Sequence, residues 1–374
     1  MPMSLSTKIN ASRVFFPAAA LQAAFAVLFT LAARYGVGGP ATGLIGIGHA
    51  HEMLFGFALA LIAGYTLGIM PAYKLWPLFG LWLVARVGFM GFPDSAIAQI
   101  LSPMFALYLA LQVYPRFRAA KKWRNKMISP LIVSICSFPL LWLILKLHNW
   151  PISHSSVYIS SVLMLCLLMS FMAGRMIAPA AAGECYKQGY ELKARVQPKL
   201  EGLLILLLPI TAMLTLLNTS PVLTGAMVIV VAAVNLIRLY RWQLWRCRAR
   251  LDIIGLGVGY AWLSLGLFII GVALVFGKPT TGAVHIITIG AIGSLSISVM
   301  ARLHYQKEVR TPPPNSLLLL TLSLISVSAL TRYASEIFWA YSSPLLWISA
   351  TTWAVALFWL TSHLLRKPTT THCK

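Results

Sequence analysis

Apolar runs of about 20 residues recur along this chain from end to end, and each is long enough to cross a bilayer as a helix. A backbone in lipid must satisfy its own hydrogen bonds, so only helices and closed barrels span. Barrel strands would read as short segments of alternating polarity, a pattern this sequence does not show. Composition agrees: 59% of the residues are hydrophobic and 10% charged, against roughly a quarter charged in an ordinary soluble protein. The chain reads as an all-α, polytopic transmembrane helix bundle, a single integral-membrane domain over residues 1–374.

Twelve spans are predicted, at roughly 14–34, 48–70, 76–92, 95–114, 127–147, 156–177, 200–218, 222–240, 253–276, 281–303, 316–333 and 343–365. Lys8 and Arg13 precede the first run as they would in a signal peptide. That run is longer than a typical h-region, and LAARYGVG is a poor cleavage site, so it is predicted as a retained span. The longest loop, 178–199, is polar and has room for a short amphipathic helix.

The net charge of +22 invites a nucleic-acid reading. The basic residues, however, sit in short clusters between apolar runs, which is what the positive-inside rule produces. One side of the membrane receives 25 of the 30 Lys and Arg residues, including those beside both termini. Both termini are therefore predicted to be cytoplasmic. Arg34, Lys146, Lys278 and Arg332 fall on the outer side, and Arg86 lies within the third span. The five cysteines form no C-x-x-C pair, and no C-x-x-C-H occurs for covalent haem attachment. Cys136 and Cys166 lie inside apolar runs and read as packing residues.

With this topology the stretch GHAHEMLFGF, residues 48–57, opens the second span at the outer face. His49 and Glu52 are three apart and share a helical face, whereas His51 points to the opposite side. Glu52 is placed to orient His49, as carboxylates do for metal-bound histidine. Interfacial polarity is the plainer reading of the same residues. His285 enters the tenth span four residues past its start, at about the depth of His49. Its helix carries Gly282, Gly290 and Gly293, which suit either a flat face for a planar cofactor or close helix packing. Arg86 needs a partner inside its span, for which a haem propionate or Glu52 would serve, or else it snorkels outward. The fourteen methionines read as packing, and Tyr260 and Trp262 as an aromatic belt.

These residues carry a resemblance. GHAHEMLFGFALALIAGY, LGVGYAWLSLGL and HIITIGAIGSLSISVMARL, with LWLVARVGF and KKWRNKMISPL in the expected order, resemble stretches of the NnrS family. The resemblance runs over nearly the whole chain. It implies a bacterial inner-membrane protein holding non-covalent b-type haem and copper, linked to nitric oxide. His49, His51, Glu52, Arg86 and His285 match the family's polar intramembrane positions. The implied haem ligands are His285 with His49 or His51, leaving the remaining histidine and Glu52 toward copper or a supporting role. The family's F-T-R-N after span six and its S-L-G-H-T-G-R after span ten are replaced here by AAAGECY and HYQKEVR, both on the cytoplasmic side.

Two functions follow as expectations. One is a haem- and copper-binding protein of the nitric oxide response, with lipid and a small ligand as partners and no nucleic acid. The other is a transporter without a redox cofactor, for which the discriminating feature would be a substrate site at the bilayer midplane.

Overall fold

The computed structural model describes residues 7–36, 42–121, 123–148 and 150–366. Twelve long helices run through them: α1 Ser12–Arg34, α2 48–66, α3 Ala72–Gly91, α4 Ala96–Arg118, α5 Ile128–His148 and α6 His154–Lys187. They continue as α7 Pro198–Leu216, α8 Pro221–Arg241, α9 Leu251–Val275, α10 Thr281–Val309, α11 Asn315–Ile337 and α12 Ser342–Leu364. A helix lies at each of the twelve predicted positions. Ten of these helices are long and apolar enough to cross a membrane on length and composition; α2 and α3, the carriers of Glu52 and Arg86, are the exceptions.

Each helix packs chiefly on its neighbours in the chain, and α12 closes back on α1. Apolar side chains face outward as well as inward: Leu107 and Leu111 of α4 are 59% and 62% exposed. A helix apolar on all sides belongs in lipid or a deep core. The most apolar stretches of α6 and α10 are 78% and 72% buried, against 28% for α7, so α6 and α10 are interior and α7 peripheral.

Cross-chain contacts fix the two faces. Lys8–Asn10 pairs antiparallel with Ile69–Pro71, a two-stranded sheet absent from the sequence reading. Arg13 at the start of α1 pairs with Glu308 at the end of α10, and Tyr305 bonds His363 at the end of α12. Both ends of the bundle thus lie on the basic face, as the charge pattern predicts. On the other face Lys146 lies 3.8 Å from Asp94.

Two expectations are corrected. Helix α6 runs to Lys187, ten residues beyond its predicted end, and no separate amphipathic helix follows; a short 3₁₀ turn occupies Lys193–Arg195. The run AAAGECYK is rich in good helix formers, and Glu184 ties the extension to Arg250 at 3.5 Å. Tyr260 is not a belt residue. It is fully buried, accepts from Arg238 at 2.9 Å and donates to Asn235. Arg238 in turn reaches Glu201 at 3.1 Å and the Ser170 carbonyl at 2.9 Å, which joins α6 through α9 near the basic face.

Helices α8 and α9 touch through glycine. A Cβ on Gly271 would lie 2.8 Å from the Gly225 carbonyl oxygen, and one on Gly225 would lie 2.6 Å from that of Gly271. Small residues let membrane helices approach this closely. Gly271→Leu is expected to lower the thermal unfolding midpoint in detergent, at an overpacking cost of about 1–3 kcal/mol. An unchanged midpoint would show slack between the two helices.

Candidate functional site: a histidine-lined cavity beside a buried carboxylate

Helix α2 begins as α-helix over Gly48–His51, widens to a π-helix over Glu52–Ala58, and returns to α-helix from Leu59. Helix α10 repeats the pattern: α over Thr281–His285, then π over Ile286–Ala291. A histidine is thus the last residue before each π segment. Such segments are rare and concentrate at functional sites.

The wide turn corrects one expectation. Glu52 does not serve His49. A π turn rotates successive residues by less than the roughly 100° of an α-helix, which leaves Glu52 beside His51. The Glu52 carboxylate accepts from Arg86 at 2.6 Å, from His51 Nδ1 at 3.1 Å and from Gln22 at 2.9 Å. Arg86 also donates to Ser102 at 2.5 Å. Side chains from α1, α2 and α3 thereby meet at one fully buried carboxylate, and α4 joins them through Ser102 and Arg86. Gly56 makes the room: a Cβ there would lie 2.9 Å from both Arg86 Nη1 and Gln22 Nε2. Glu52, one of the partners foreseen for Arg86, pairs with it.

His49 and His285 occupy a different place. Both line a cavity of about 650 Å³ walled by α1, α2, α6, α10, α11 and α12. His51, Glu52 and Arg86 do not line it. The opposed faces expected of His49 and His51 are observed, and His49 and His285 come together at one cavity.

Hydrogen bonds orient both rings. His285 Nδ1 lies 2.8 Å from the Thr281 carbonyl, which only accepts, so in the neutral ring Nδ1 carries the proton. Thr30 donates its one hydroxyl proton to the Ala26 carbonyl at 2.6 Å, so at 3.0 Å it accepts from His49 Nδ1. Each Nε2 therefore keeps its lone pair and makes no hydrogen bond among the described residues. This is how ligating imidazoles are held: one nitrogen fixed by the protein, the other free for the metal.

The cavity body is apolar, with Leu54, Phe57, Ile289 and Trp353 among its walls, and Arg34 and Arg332 also line it. Arg332 is shared with Glu336 at 3.0 Å. Sequence reasoning passed over Arg332 as an outer-side charge. Its distance in sequence from any histidine motif left no signal to find it.

A family sequence model described as NnrS protein matches residues 10–367. The chain belongs to the NnrS family. No curated protein matches it. In this NnrS chain the glycines of α10 serve packing rather than a flat cofactor face. A Cβ on Gly290 would meet the Trp262 ring at 2.9 Å, and one on Gly293 the Trp353 ring at 2.7 Å. Among the described residues no group of three His, Cys, Asp or Glu side chains is placed to hold a metal ion. Cys247, buried in the segment between α8 and α9, is not a ready ligand either. Burial, and then the neighbouring Cys185 thiol, push its thiol up to about 11, and the thiolate is the ligating form. Met169, Met172 and Met176, one face of α6, line a second, apolar cavity of about 110 Å³.

Proposed function

We propose that this protein is a haem-binding membrane protein of the bacterial inner membrane, acting in the response to nitric oxide, with His49 and His285 as the residues that hold the haem. The observation that carries the reading is the pair of oriented imidazoles, each with a free Nε2, in one apolar cavity. The volume lies inside the usual range for cofactor pockets, roughly 300–1,000 Å³. Imidazole on facing helices is a common haem ligand. Arg332 and Arg34, rather than Arg86, are the cations available to the acidic edge of such a group.

A bound haem would supply an iron able to take a small diatomic ligand in exchange for one of the two imidazoles. The residues of this chain would orient it, keep its faces dry and hold its carboxylates. Copper is the second reading for the same cavity, because histidine suits both metals. The carboxylate beside Arg86 and His51 is already engaged by three donors, which argues against Glu52 as a metal ligand.

The test is the absorption spectrum and metal content of protein purified after expression with ample haem. A Soret band and about one iron per chain are expected. Colourless protein containing copper would move the reading to a copper site. Colourless protein free of both metals would leave the transporter.

A further inference from the structure

The apolar cavity of about 110 Å³ continues the helix faces that line the histidine cavity. On α2, Phe57 and Ala58 line the histidine cavity, and Leu61 and Ile62, one turn on, line the apolar one. On α10, Ile289 lines the first and Leu295 the second, while Ile292 between them lines both. Among the described residues Ile292 is the one lining residue that the two cavities share. Helix α6 supplies Val162 to one and Met172 to the other. The two cavities therefore lie along a single seam between α2, α6 and α10, parted at the buried Ile292.

The apolar cavity offers little to a polar guest. No charged side chain lines it, and the surface it presents is almost wholly apolar. Two of its hydroxyls spend their protons within their own helices: Thr66 on the Ile62 carbonyl at 2.6 Å and Ser296 on that of Gly293 at 3.0 Å. Size narrows the guest further. Cofactors and drug-sized ligands occupy roughly 300–1,000 Å³, so neither fits. Engineered apolar cavities of roughly 150 Å³ stay dry and take benzene or xenon. The unbranched thioethers of Met169, Met172 and Met176 can adjust around such a guest.

We propose that this cavity binds a small apolar gas of the diatomic class and holds it one side chain away from the histidine cavity, with Ile292 as the partition it passes. Apolar solutes leave water for such surroundings. The destination rests on the haem reading above; the binding does not.

Xenon tests it, being apolar, small and visible by diffraction. Lipid-grown crystals of the unaltered protein under xenon pressure should show a xenon peak among Met172, Leu295 and Ile292. Met172→Phe should lower its occupancy at least about threefold by filling the space. Met176→Phe serves if that variant misfolds. A cavity without xenon, or one filled by lipid, detergent or ordered water, would overturn the proposal. In haem-loaded protein, carbon monoxide released by a light flash should return in a fast phase and a slower one. Met172→Phe should lose the slower phase; rebinding unchanged by the variant would also overturn the proposal. A Soret band without xenon sinks this site and keeps the haem reading, whereas xenon without a Soret band does the reverse.

Discussion

His285→Ala is expected to abolish stable haem binding. Outer partners of ligating histidines are worth roughly 10–100-fold in affinity, so loss of the ligand itself should cost at least about 100-fold. His49→Ala should behave alike, because both rings line one cavity and each holds its Nδ1 in a hydrogen bond. Thr30→Val leaves the His49 ligand in place and removes only the hydroxyl that takes its Nδ1 proton. It should weaken binding by about tenfold and shift the axial-ligand spectrum while leaving unfolding in the haem-free state unchanged. Full haem content and an unaltered spectrum in His285→Ala would refute the assignment, even if the protein is a haem protein. His51→Ala is the control, since His51 faces away from the cavity.

The second large effect concerns folding. Arg86→Met leaves the Glu52 carboxylate, fully buried, without its cation. Breaking a buried ion pair by removing one partner costs about 3–5 kcal/mol, a large share of the roughly 5–15 kcal/mol that holds a typical protein folded. Low yield and a sharply lower unfolding midpoint are expected. The double variant Glu52→Gln/Arg86→Met removes the stranded charge and should recover most of the loss. A single variant as stable as the unaltered protein, or a double variant no better than the single, would show that the pair does not hold these four helices. Asp94 offers the contrast: it is 96% exposed beside Lys146, and its removal should be silent.

Much of the architecture is legible in the sequence because run length and charge asymmetry are properties of the bilayer as solvent. The same two signals suffice to bring His49 and His285 to one depth. What stays hidden depends on details no hydropathy pattern carries. Glu52 faces His51 rather than His49 because the helix widens at that residue, and a π segment leaves no clear mark in side-chain chemistry. Tyr260 reads as a belt residue because its partners, Asn235 and Arg238, lie on another helix. The glycines of α10 allow two readings, and the choice rests on Trp262 and Trp353, which fill the space in front of them. Met169, Met172 and Met176 look scattered in composition yet share a wall.

The closure of α12 on α1 has a consequence for biogenesis. The cavity draws its walls from the first two helices, α6 and the last three, so it does not exist while the chain is still being made. His49 and His285 are 236 positions apart. At roughly 5–20 residues per second, on the order of 10–50 s pass between the synthesis of one and of the other. During that interval the early half of the protein carries an unmatched imidazole. A cofactor clasped between the two must therefore arrive after insertion is complete, so loading is a step that quality control at the membrane can read.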